Sequence, residues 1–97
     1  MQTAANVVEI SADLADLVPR YIRNRKNDLA FARKLLLDND YCLLAGMAHR
    51  IRGSAASYGF GSLGEIAGEL EMAAEQNDGR RIETCLQKLE SFLGSVK

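Results

Sequence analysis

The 97-residue chain predicts an all-α fold, an antiparallel up-down-up-down four-helix bundle. Three observations predict it. Apolar residues recur at three- and four-residue spacing through four separate segments. Leu and Ala dominate, Pro occurs once and β-branched runs are few, a balance that favours helix over strand. Short clusters of Asp, Asn and Gly divide the segments, and short connections place consecutive helices antiparallel.

The first helix is expected over roughly 13–38, where Leu14, Leu17, Val18, Tyr21, Leu29, Ala32 and Leu36 share helical spacing. Pro19 sits near its start. Proline is tolerated in a first turn but not in a helix interior, which allows 11–18 to be a short separate turn ahead of a long helix starting near Pro19. Asp38-Asn39-Asp40 breaks the pattern. The second helix is expected over about 41–58, with a stripe of Leu44, Met47, Ala48, Ile51, Ala55 and Tyr58. Tyr58-Gly59-Phe60-Gly61 ends it, since glycine takes the left-handed C-terminal conformation readily.

The third helix is expected over about 63–76, and Ser62 with Glu65 has the spacing of a capping box. Leu63, Ile66, Ala67, Leu70 and Ala74 form its apolar face. Asn77-Asp78-Gly79 is the next turn, with Asp78 as the candidate N-cap. The fourth helix, about 80–95, carries Ile82, Cys85, Leu86, Leu89, Phe92 and Leu93. Each helix is amphipathic and needs the others to bury its stripe. One domain is expected over 1–97, with its core over about 12–95.

Composition sets outer limits on function. The chain is 47% apolar and 26% charged, ordinary for a soluble globular protein, with a formal net charge of −1. That balance points to neither a nucleic-acid nor a membrane partner. A basic run at 20–26, with Arg20, Arg23, Arg25 and Lys26, reads first as a solvated helix face and second as a docking surface for an acidic partner. Met1-Gln2-Thr3-Ala4-Ala5 lacks the features of a signal peptide, and no apolar stretch is long enough for a membrane span. A cytoplasmic monomer is therefore expected. Cys42 and Cys85 lack metal-type spacing; free thiols in a reducing cytosol are the simpler expectation, with one disulfide left open.

The residue that does not fit a pure scaffold is His49, the single histidine. At about 100° per residue it lies roughly 160° from the centre of the apolar stripe of the second helix, so it faces water. Its helical neighbours are Ala45, Gly46, Arg52, Gly53 and Ala56, all small except Arg52. Exposed helix positions normally carry long polar side chains, and each interior glycine costs roughly 1 kcal/mol against alanine. Small residues around one protruding imidazole leave room for something large to approach. Arg52, one turn along, can reach a group bound to the ring, and arginine pairs well with phosphate oxygens. The competing readings are an incidental surface histidine, a metal site, and a nucleophile-base constellation. No second ligand stands at i+3 or i+4, and nothing local supports a triad.

The segment Ala48-His49-Arg50-Ile51-Arg52-Gly53-Ser54-Ala55 resembles the signature of histidine phosphotransfer domains: His, two residues, Lys, Gly, then Ser or Ala. Gly59, Leu63 and the Leu70-Glu71 pair match later positions of that pattern, as does the Leu17-Val18-Pro19 opening. One departure stands out: Arg52 occupies the place of the usual lysine, a bidentate fork for a point charge. The resemblance implies that His49 accepts a phosphoryl group from an aspartate of a response-regulator receiver domain, or from a kinase, and passes it to another receiver. It gives Arg52 the phosphate's neighbourhood and Gly53 the close approach of the receiver. In chemotaxis-kinase members a glutamate of the third helix accepts a hydrogen bond from the histidine, which makes Glu71 the candidate orienter. The resemblance implies a phosphocarrier and not an enzyme, with no cofactor or metal of its own, because the Mg²⁺ belongs to the receiver. A hybrid histidine kinase is a candidate partner, and the chain itself fits either a free-standing protein or a domain of such a kinase.

Two other classes compete. One is a related bundle that docks but carries nothing, though a scaffold needs neither His49 nor Arg52. The other is a helix-turn-helix DNA-binding protein with 58–61 as its turn, which the lack of Lys or Arg in 62–76 opposes.

Overall fold

The computed structural model describes residues 12–96. Four helices follow one another: α1 Ala12–Leu37, α2 Tyr41–Ser57, α3 Gly61–Glu75 and α4 Gly79–Ser95, with no strand among the described residues. α1 packs on α2 and α4, α3 packs on the same two, and the diagonal pairs stay apart. This closed ring of neighbours is the up-down-up-down bundle that short connections dictate. None of the described helices is long and apolar enough to cross a membrane.

The core draws on all four predicted stripes, with Ile22, Leu35 and Ala73 added to them and Leu29, Leu36, Tyr58, Ile66 and Phe92 only partly buried. Leu44, Met47, Ala48, Ile51 and Ala55 of α2 are buried against Leu63, Ala67, Leu70, Ala73 and Ala74 of α3 and Ile82, Cys85, Leu86, Leu89 and Leu93 of α4. α1 adds Tyr21, Ile22, Ala32 and Leu35, while Leu17 is exposed. The side chain of Leu14 and the segment 1–5, read above as no signal peptide, lie outside the described residues. Polar contacts tie α1 to its neighbours. Tyr21 Oη lies 2.7 Å from Ser54 Oγ, and its ring stacks on Tyr58 at 4.1 Å. Arg33 donates to Glu83 at 3.3 Å and to Glu90 at 2.7 Å across α1 and α4.

All three connections use one device. Asn39, Gly59 and Asn77 take positive φ of 57°, 77° and 56°. At each, two backbone N–H groups close the preceding helix in a Schellman pattern. Asn39 and Asp40 donate to Leu36 and Leu35, Gly59 and Phe60 to Ala56 and Ala55, Asn77 and Asp78 to Ala74 and Ala73. The last residue of each connection also starts the next helix: Asp40, Phe60 and Asp78 are the N-caps of α2, α3 and α4. Asp40 Oδ1 accepts from Leu43 N at 3.2 Å, and Asp78 Oδ1 from Arg81 N at 3.1 Å.

Two expectations are corrected. α1 runs unbroken through Pro19, so 12–18 belongs to the long helix and is no separate turn. Proline removes one backbone donor there, and the flanking contacts of Val18, Tyr21 and Ile22 with the core keep the turn in register. Ser62 is not the cap of α3: the helix begins at Gly61 behind Phe60, which offers no side-chain cap, and the capping box with Glu65 does not form. The Schellman closure of α2 already fixes Phe60, so α3 starts before Ser62 can serve.

Asp78 does close α4 as expected. Asp78→Ala is predicted to cost about 1 kcal/mol, the usual worth of an N-cap, or about 4–8 °C in a domain of this size. Asp78→Asn should melt close to wild type. Equal melting curves for the Ala and Asp forms would remove the cap from the account of α4.

Candidate functional site

The site is built on the closest pair of helices. α2 and α3 form the most extensive contact between any two helices, and Ala55 of α2 stands beside Gly64 of α3 there. A Cβ at Gly64 would stand 3.9 Å from both Ala55 Cβ and the Arg52 carbonyl, so the two backbones pass with little between them. That approach lets a side chain of α3 reach the outer face of α2.

His49 stands on that outer face with 64% of its side chain exposed. Its Nδ1 lies 3.0 Å from Oε2 of Glu71, which projects from α3 and is only 15% exposed. An ionised carboxylate can only accept a hydrogen bond, so this contact assigns the ring proton to Nδ1 and leaves the lone pair on Nε2. Arg52 Nη1 lies 3.3 Å from Glu71 Oε1, an ion pair without hydrogen-bond alignment; Oε1 is buried and accepts no hydrogen bond. Arg52 Nη2 lies 3.5 Å from His49 Nδ1, but with the proton on Nδ1 both atoms are donors, so this is proximity and not a bond.

The structure thus brings three of the four sequence-predicted residues together: His49, Arg52 and Glu71. Gly53 sits beside them on the exposed face, and a Cβ placed there meets nothing within 4 Å. Sequence reasoning missed Gly68, one turn before Glu71 on α3, whose Cβ would lie 3.5 Å from Arg52 Cδ. The available signal was its i−3 spacing from Glu71.

Other candidates resolve simply. In the basic run, Arg20, Arg23 and Lys26 are exposed, while Arg25 lies 2.9 Å from Asp28 and over the Tyr21 ring. Cys42 is exposed and Cys85 buried, and both are free. Burial pushes the Cys85 thiol above its usual pKa, Glu69 adds to the rise, and Lys88 and Arg81 oppose it. Among the described residues no group of three or more His, Cys, Asp and Glu is placed to hold a metal ion.

A helical bundle presenting one exposed imidazole, backed by a shielded carboxylate and flanked by a cation and small residues, has the features of a histidine phosphocarrier. The comparison with known families gives the same class. The model of the Hpt domain matches residues 9–96, and the chain belongs to that family. Hpt domains are phosphocarrier modules that work with receiver domains and kinases in phosphorelays. That membership leaves no place for the helix-turn-helix reading. No curated protein and no solved structure matches the chain.

The open space at Gly53 yields a stability prediction. Gly53→Ala should stabilise the protein by roughly 0.5–1 kcal/mol, through helix propensity and a less disordered unfolded chain. Urea unfolding followed by circular dichroism measures it. A lower midpoint for the Ala form would mean that the glycine serves the fold.

Proposed function

We propose that His49 is the phosphoryl-carrying residue of a two-component phosphorelay. The observation that supports this best is the Nδ1 contact with Glu71, which leaves Nε2 as a nucleophile on an exposed ring. In the forward step the Nε2 lone pair attacks the phosphorus of a receiver's aspartyl phosphate. The N–P bond forms as the P–O bond to the aspartate breaks, and the carboxylate leaves with the bonding pair. The proton stays on Nδ1, so the positive charge gained by the ring develops against the Glu71 carboxylate. Onward transfer reverses this: an oxygen of a second receiver's aspartate attacks phosphorus, and the pair of the N–P bond returns to Nε2.

Arg52 serves the equatorial phosphate oxygens, within reach from one turn along the helix. Gly53 keeps the surface low where the receiver's active-site loops come in. The chain contributes the nucleophile and the docking face, and the Mg²⁺ that assists transfer is the receiver's. A related bundle that docks but carries nothing is the second reading, although docking alone needs neither His49 nor Arg52.

Incubation with a phosphorylated receiver separates the two. The wild-type protein should take up label that is acid-labile and base-stable, and His49→Gln should keep its fold and take up none. Labelling of the Gln form at wild-type stoichiometry would overturn the assignment of His49. On the same assay Gly53→Leu should remain folded and transfer at least about tenfold more slowly, a barrier increase of about 1.4 kcal/mol. Wild-type transfer by the Leu form would show that the receiver does not approach this face closely.

A further inference from the structure

We infer that Gly68 is a positioning residue for Arg52: its missing side chain is the seat across which the arginine stem reaches Glu71 and the ring of His49. The kinetic consequence rests on the phosphocarrier reading of His49; the seat itself does not.

Arg52 projects from α2, and its guanidinium lies over α3, with Nη1 3.3 Å from Glu71 Oε1 and Nη2 3.5 Å from His49 Nδ1. To arrive there the stem must cross the surface of α3. It crosses at Gly68, where a Cβ would stand 3.5 Å from Arg52 Cδ. That is ordinary van der Waals contact, so a methyl group would rest against the stem. Atoms beyond Cβ would compete with the stem for the same space. Half of the Arg52 side chain is exposed, at 51%, so a displaced guanidinium has open solvent to move into.

Position 68 has no other call on glycine. It lies inside α3 in ordinary helical backbone, where positive φ is confined among glycines to Gly59. Glycine inside a helix is a costly choice against alanine. Loss of the seat also affects Glu71. Its Oε1 is buried and accepts no hydrogen bond, so the arginine is the neighbouring cation that offsets its charge. A residue that evicts Arg52 therefore removes the phosphate's cation and changes the carboxylate that holds the imidazole, without touching either directly. An arginine suits this geometry, since its planar head can face the Glu71 carboxylate after its stem has crossed Gly68.

Four proteins test this: Gly68→Ala, Gly68→Val, Arg52→Ala and the Arg52→Ala/Gly68→Val double variant, with thermal melts as the control for folding. Gly68→Gln, a better helix former, replaces the valine form if that one unfolds. The heteronuclear NOE of the Arg52 Nε–H reads the seat without any phosphotransfer. It should stay high in wild type and Gly68→Ala, and fall to the level of solvated arginines in Gly68→Val. Transfer from a phosphorylated receiver should run near the wild-type rate in Gly68→Ala and about tenfold slower in Gly68→Val, matching Arg52→Ala. In the Arg52→Ala background the valine should cost nothing further. An ordered Arg52 in the folded Gly68→Val or Gly68→Gln form would overturn the assignment. So would an equal slowing by valine with and without Arg52, which is what a general disturbance of α2 and α3 would give. If the wild-type protein takes up no phosphate, the phosphocarrier reading fails by itself, and the NOE still decides the seat.

Discussion

The close passage of α2 and α3 is the constraint on which the rest depends. Ala55 is buried beside Gly64, where a methyl would stand 3.9 Å from Ala55 Cβ and from the Arg52 carbonyl. Larger residues in these places would separate the axes, and interaxial distance follows the side chains at the contact. At the observed spacing a glutamate of α3 reaches a histidine that faces away from the core of α2. The core thus sets the chemistry of a surface group. Small residues that look like economical packing from inside the bundle determine, on its outside, which ring nitrogen is free.

The site divides exposure unequally between its members. His49 is mostly in solvent, Arg52 about half, and Glu71 hardly at all. A shielded carboxylate interacts more strongly with its neighbours than one in water, so Glu71 can hold the imidazole through a single contact. The exposed ring keeps access to a large partner. Placing all three in solvent would weaken the hold; burying all three would close the approach. The bundle supplies one element for each need, with α2 presenting the ring and α3 supplying the shielded acid.

Much of this could be read from the chain itself. The Leu44, Met47, Ile51 and Ala55 stripe located the inner face of α2, and its opposite placed His49 in solvent, because helical period fixes direction around one axis. Asp78 was legible as a cap because the chemistry of an N-cap is local. Pro19 was misread because the cost of one lost donor is local while the contacts of Val18, Tyr21 and Ile22 that hold the helix are tertiary. Ser62 was misread for a related reason: the residue that starts α3 was already committed by the end of α2. Glu71 was reached only through family resemblance, since periodicity says nothing of the register between two helices. The spacing of Gly68 from Glu71 is only a weak signal, and the seat needed the path of the Arg52 side chain to be seen.

The connections between helices have no slack. Phe60 accepts the duty of closing α2 through its N–H and of opening α3, so the two helices share a boundary residue and no spacer lies between them. Their rotational phases are therefore locked as the teeth of meshed gears are. One residue added between Gly59 and Gly61 would undo the double use of Phe60 and free the start of α3 from the end of α2, so the side of α3 that faces His49 would no longer be fixed. Length at this junction is thus tied to the contact between Glu71 and His49, which a substitution elsewhere in the turn leaves in place.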